Sequence, residues 1–305
     1  MGHDHRSGTE GVRPEWAGID RLGTLELLRL LNAEDRTVAG AVAGQLPRIA
    51  VVVDAVAARM AGGGRLVYAG AGTAGRLGVL DASECPPTFG TDPAQVVGLI
   101  AGGPPALVRA VEGAEDRTDS AVADLTALAL TAGDTVLGLS ASGRTPYTVA
   151  AVRHARATGA LTVGLAGVAG SPLVAAAELG IEVETGPEVL AGSTRLKAGT
   201  AQKLVLNLLS TAVMVRLGKT YGNLMVDVRP GNAKLRDRAR RIVTEITGTD
   251  EDTARRALAA TAGRVKPAVL VVLADVDPAT AARLLAASHG RLREALAAAG
   301  VISRD

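Results

Sequence analysis

The 305-residue sequence predicts an α/β fold, a parallel and doubly wound sheet with a small C-terminal helical module, and three observations carry that prediction. Strand-length apolar runs alternate with helical stretches between residues 66 and 184, the pace of βαβ units whose sheet is covered on both faces. Two of those runs open straight into small-residue turns ahead of a helix, GAGTAG after the first and SASGRTP after the third. From residue 250 the chain turns alanine-rich, in short helical runs separated by Gly and Pro. The expected organisation is a flexible segment over 1–18, a main domain with leading helices over 19–247, and the helical module over 248–305.

The elements follow in order. A leucine-rich helical pattern begins at Thr24, a candidate N-cap, and a second runs over 38–60, with Pro47 marking a kink or a break near Gln45. Three glycines, 62–64, deliver the chain to the first strand, 66–69. A helix is expected from near Arg76, and Pro86 and Pro87 should end it, leaving Glu84 at a helix end or in a loop. The second strand, 96–101, is followed by helical stretches at 106–111 and 118–130 around an acidic cluster. Strands at 134–139, 161–166 and 181–184 complete the sheet. A long helix over 195–217, with Thr194 as a candidate cap, precedes an Arg-rich helix over 233–246 capped by Asn232. Helical runs at 251–261, 267–273, 278–287 and 291–298 form the C-terminal module.

Composition bounds the function. Apolar residues make up 48% of the chain, enough for a large core, whereas one Trp, one Phe and three Tyr offer little for stacking bases. A net charge of +2 without a long basic run argues against nucleic acid as partner. No apolar span of membrane length and no signal peptide is evident, so a cytoplasmic protein without a membrane partner is expected. Cys85 is the sole cysteine, which rules out an intramolecular disulfide and fits a reducing compartment. His3, Asp4 and His5 could meet a metal, but the segment is terminal and polar, and no metal site is predicted.

The turn Gly70, Gly72, Gly75 ahead of a helix suits a phosphate, because glycines admit close backbone approach and the first helical amides favour an anion. The same G-x-G-x-x-G pattern occurs in dinucleotide folds, but that reading needs an acidic residue about 20 positions on. The next strand ends instead in Gly102, Gly103 and Pro104. The hydroxyls of Ser140, Ser142 and Thr145, with Gly143 between them, form a second cradle able to surround phosphate oxygens. Glu84, beside the first turn, is a candidate proton-transfer group with a solvated loop glutamate as the plain alternative, while the acidic cluster over 112–116 taken alone reads as a solvated helix end.

Residues 70–90, GAGTAGRLGVLDASECPPTFG, resemble the signature of the N-acetylmuramic acid 6-phosphate etherases. RAVEGAEDR at 109–117 resembles that family's second signature, and SASGRTPYT at 140–148 resembles the phosphosugar loop of the wider group of sugar isomerase (SIS) domains. The likeness continues through 220–242. It implies a flavodoxin-like SIS domain and a carbon–oxygen lyase of cell-wall amino-sugar recycling, acting on a phosphorylated amino sugar without metal or organic cofactor. It implies a homodimer, with Glu115 as base and Glu84 as acid. It also implies substrate contacts from Gly72, Thr73, Arg76, Ser83, Ser140, Ser142, Gly143, Thr145, Glu188, Thr194 and Lys197. The chain departs from the family at Ala74, where Ser is common, and reads Thr9-Glu10-Gly11-Val12-Arg13-Pro14 where an Arg-Asn pair is usual. Two alternatives stay open: an SIS-type isomerase using Glu188, and a phosphosugar-responsive regulatory binder.

Overall fold

A computed structural model describes residues 8–228 and 231–301; His3, Asp4 and His5 lie outside the described residues. The chain divides into two compact units, one of residues 1–83 and 93–211, the other of 84–92 and 212–305.

In the first unit, residues 8–21 hold three short 3-10 turns, and Thr9 and Trp16 are buried within the stretch expected to be flexible. Helix α1 (Thr24–Ala43) follows, with Gly23 rather than Thr24 at its N-cap. The Gly23 amide donates to the Glu26 carboxylate, so the cap is made by the third helical residue reaching back. Helix α2 (Leu46–Ala61) turns away by 58°, and the break falls beside Gln45, as Pro47 suggests.

Strand β1 (Leu66–Gly70) leads into α3 (Gly72–Phe89), and β2 (Val96–Ile100) follows. Helix α3 departs from expectation at both ends. It starts at Gly72 rather than near Arg76, and it continues through Pro86 and Pro87. Each interior proline costs about 3 kcal/mol by removing an N–H and crowding the preceding turn. Burial of Cys85 and Phe89 on that last turn opposes the cost. The helix expected over 106–111 is also absent: a 3-10 turn, Pro104–Leu107, stands there, and the exposed Val108 and Val111 give a helix nothing to pack against.

The chain then alternates α4 (Thr118–Ala127), β3 (Thr135–Ser140), α5 (Pro146–Ala157), β4 (Leu161–Ala166), α6 (Pro172–Ala176) and β5 (Leu179–Glu182), and ends the unit in α7 (Lys197–Arg216). The five strands are parallel in the order β2-β1-β3-β4-β5. The order reverses at β1 and β3, which makes the carboxyl ends of those two strands the crevice where such sheets bind ligands. Strands β1, β3 and β4 are buried throughout, the pattern of a sheet covered on both faces.

In the second unit, a two-stranded ribbon, β6 (Thr220–Tyr221) and β7 (Leu224–Met225), precedes five helices. These are α8 (Ala233–Thr247), α9 (Glu251–Ala260), α10 (Val265–Leu273), α11 (Pro278–Ala287) and α12 (Leu292–Ala298). The Asn232 side chain accepts from the Leu235 amide and caps α8 as expected. The core gathers Val243, Val269, Leu270, Ala281 and Ala295. Lys266 is buried against it and donates to Asp227 and the Gly290 carbonyl.

Candidate active site

The first unit carries a cleft of about 250 Å³ at the reversal point of the sheet. Its walls come from the start of α3 (Ala71, Gly72, Thr73, Ala74), the loop after β3 (Ser140, Ala141, Ser142, Thr145), Glu115, Thr194, Gln202 and Glu10.

The α3 wall exists because the helix begins one residue after its strand. Gly70 and Gly75 make this possible: a Cβ on Gly75 would stand 2.7 Å from the Gly70 carbonyl oxygen and from Ile100. The turn therefore closes tightly, and the unpaired amides at the head of an 18-residue helix face the cleft end of β1.

The β3 wall is built from hydroxyls that hold one another. Ser140 Oγ lies 2.8 Å from Thr145 Oγ1 and 3.4 Å from Ser142 Oγ, and it accepts from the Gly143 amide at 3.0 Å. Ser142 Oγ accepts from the Arg144 amide. Gly143 shapes the turn without lining the cleft: its φ is +65°, and a Cβ there would meet Ser171 at 2.3 Å. Thr145 and Pro146 then start α5.

Glu115 stands on a 3-10 turn, Ala114–Asp116, pinned by the buried Ala114. Of the acidic cluster around it, Glu115 is the member that lines the cleft. Glu84 belongs to the second unit, where it is exposed on the last part of α3.

Other residues expected to touch substrate are engaged elsewhere. Arg76 Nε donates to the Leu107 carbonyl, and the exposed Ser83 donates back to Leu80 of its own helix. Glu188, 1% exposed, accepts from the Lys197 and Ala198 amides at 3.0 and 2.9 Å, so its carboxylate caps α7. That displaces Thr194 from the capping role; α7 begins three residues after it. Lys197 is buried, and its Nζ lies 2.8 Å from Glu34 and over the Trp16 ring. Gly72, Thr73, Glu115, Ser140, Ser142, Thr145 and Thr194 do line the cleft, and Glu10 and Gln202 join them without having been expected.

Beneath the cleft, Asp81 of α3 accepts from Tyr68 of β1 at 2.7 Å and from Ser210 of α7 at 2.9 Å. Burial raises its carboxyl above the ordinary range, against the pull of those hydrogen bonds and of Lys203. Three elements that carry the cleft are thereby tied at one side chain.

Comparison with known proteins fits this geometry. Residues 48–156 match the family described as the glucokinase regulatory protein N-terminal SIS domain, and 114–212 match the SIS domain itself. A phosphoheptose isomerase from Francisella tularensis superposes with a TM-score of 0.50 at 16% identity, over 64% of this chain and 100% of that one, and so shares the fold. Sheet order and cleft position together define an SIS-domain protein.

Within that class the sequence is more particular. An N-acetylmuramic acid 6-phosphate etherase of Streptomyces coelicolor is 70% identical over 95% of this chain and 94% of its own. One of Mycolicibacterium smegmatis is 57% identical over 87% and 89%. The chain belongs to the N-acetylmuramic acid 6-phosphate etherase family.

Proposed function

We propose that the chain cleaves the lactyl ether of N-acetylmuramic acid 6-phosphate, giving N-acetylglucosamine 6-phosphate and D-lactate, with Glu115 as base and Glu84 as acid. The observation that carries this reading is the cleft, where the Glu115 carboxylate, with Glu10 also in the lining, shares a space with three converging hydroxyls and a helix N-terminus. The hydroxyls and amides suit the 6-phosphate; the carboxylate suits a proton on the sugar.

An alkyl ether is a poor leaving group, and direct displacement by water is slow. Opening the sugar to its aldehyde makes the C2 proton acidic. Glu115 removes it, the C3–O bond breaks as Glu84 protonates the departing lactyl oxygen, and water activated by Glu84 then adds to the conjugated double bond. Each such proton transfer contributes on the order of 10² to 10⁴ in rate. The isomerase alternative is less well supported, because Glu188 is already occupied by two helix amides. The reading includes a cytoplasmic homodimer, supported by the lone cysteine and by leucines exposed on α1.

The test is turnover of the phosphosugar in heavy water, reading lactate and C2 deuterium together. Wild type should give both, Glu115→Gln neither, and Glu84→Gln deuterium without lactate. A wild-type chain that binds the sugar but gives neither product sinks the assignment in favour of a regulatory binder.

A further inference from the structure

Gln202 sits in the second turn of α7 and is 4% exposed, yet its side-chain Nε2 has no hydrogen-bond partner among the described residues. A buried unpaired amide costs about 1–3 kcal/mol, and a Met or Leu at that point of a mostly apolar helix would avoid the cost. Gln202 also lines the cleft. Gly199, three residues earlier and so on the same helix face, packs on Thr73: its Cβ would stand 3.3 Å from the Thr73 methyl. This face of α7 therefore looks onto the first turn of α3.

The chemistry asks something specific of that wall. When Glu115 takes the C2 proton, the C–H electron pair forms the C1–C2 double bond and the carbonyl π pair moves onto O1. The enolate pair then returns to C1–O1, the C1–C2 π pair becomes C2–C3, and the C3–O pair leaves on the lactyl oxygen, which Glu84 protonates. Between those events O1 carries a negative charge. Among the described residues, those lining the cleft include no Lys, Arg or His, and Glu115, having taken the proton, leaves Glu10 as the other carboxyl of the lining, which offers an anion no charge of opposite sign. Ser140, Ser142 and Thr145 are committed to the phosphate in the reading above. Gln202 supplies the N–H side-chain donor of the lining set. A neutral donor also suits the neighbourhood, since a cation there would pair with Glu115 and lower its basicity.

We infer that Gln202 Nε2 donates to O1 of the open-chain sugar and stabilises the enolate formed when Glu115 removes the C2 proton. The inference rests on the etherase reading and adds an electrophilic donor to its two carboxylates. Stabilisation of this kind acts on the transition state more than on the closed-ring ground state, so it belongs in kcat.

The experiment compares wild type with Gln202→Met, matched in size, and Gln202→Glu, which puts an acceptor and a charge in place of the donor. Lactate release and C2 deuterium exchange are followed alongside affinity for N-acetylglucosamine 6-phosphate and thermal midpoint. In Gln202→Met, turnover and exchange should fall together on the order of 100-fold, with sugar-phosphate affinity held and the thermal midpoint raised, since the unpaired buried amide is gone. Gln202→Glu should fall further. Wild-type exchange in Gln202→Met overturns the inference and leaves the etherase reading standing. So does a loss of affinity at unchanged kcat, which would mark a contact made equally in the ground state. If wild type gives neither lactate nor exchange, both readings fall.

Discussion

Asp134 accepts from the Arg65 amide and guanidinium and from the Thr131 amide and hydroxyl, all within 3.2 Å, while Arg65 also donates to the Leu128 and Ala129 carbonyls. The Arg65–Asp134 pair thus joins the starts of β1 and β3, and the guanidinium ties both to the residues that follow α4. Burial would raise its pKa, but the Arg65 side chain, the two amides and the Arg65 charge outweigh it and hold it at about 2. A folded pKa below the unfolded one stabilises above the unfolded value and is lost as pH falls toward the folded one. This pair should contribute about 2 kcal/mol above pH 5, with about half gone by pH 3. Urea unfolding of wild type and Asp134→Asn should show their stability difference shrinking by about 1 kcal/mol from pH 7 to pH 3. A difference that does not change with pH refutes the clamp. At this same scale, Thr73, Ser140, Ser142 and Thr145 were legible because they sit between a strand and a helix, where local pattern and site coincide. Glu10 and Gln202 were not. The first lies far from the sheet in sequence, the second is a single polar residue inside an apolar helix, and only tertiary placement brings either to the cleft.

Among the elements, β1 to β4 were legible to within a residue, because burial inside the sheet writes apolar runs, whereas β5 begins and ends two residues before its expected place and the two-residue strands β6 and β7 are too short to leave such a run. Helix ends were less so, since they depend on partners distant in sequence. Prolines 86 and 87 signalled a stop that the buried Cys85 and Phe89 override. Thr194 signalled a cap that Glu188, nine residues before Lys197, supplies instead. Charged hydrogen bonds of the Glu188 kind contribute about 1.5–3 kcal/mol. Glu188→Gln turns one acceptor into an amide that faces the helix N–H groups, so urea unfolding should register a loss of about 2 kcal/mol. Lactate release by the folded variant should stay near wild type. A 100-fold drop in C2 exchange with stability intact would instead make Glu188 a proton carrier, as the isomerase alternative requires.

At the scale of the whole molecule, α1 poses the question of what it packs against. It is 20 residues long, yet Val38 and Val42 are its buried side chains, both in its second half. Leu25 and Leu28, three residues apart on one face, are 60% and 56% exposed, and Leu22 in the extended lead-in to the helix is exposed too. A helix that leaves its apolar face in water gains little from folding onto its own unit, whereas two copies can cover the stripe for each other. Burying one leucine contributes about 1.5–3 kcal/mol, so the two leucines of each copy would weigh heavily in a dimer's affinity. Sedimentation velocity should find wild type at twice its 30.8 kDa mass. Leu25→Asp combined with Leu28→Asp should weaken association more than 100-fold, each factor of ten corresponding to about 1.4 kcal/mol. Circular dichroism should show the variant folded, because neither side chain belongs to the core. A wild-type chain that sediments as a monomer at every concentration would remove the dimer from the proposal, and the cleft would then have to work with one copy alone.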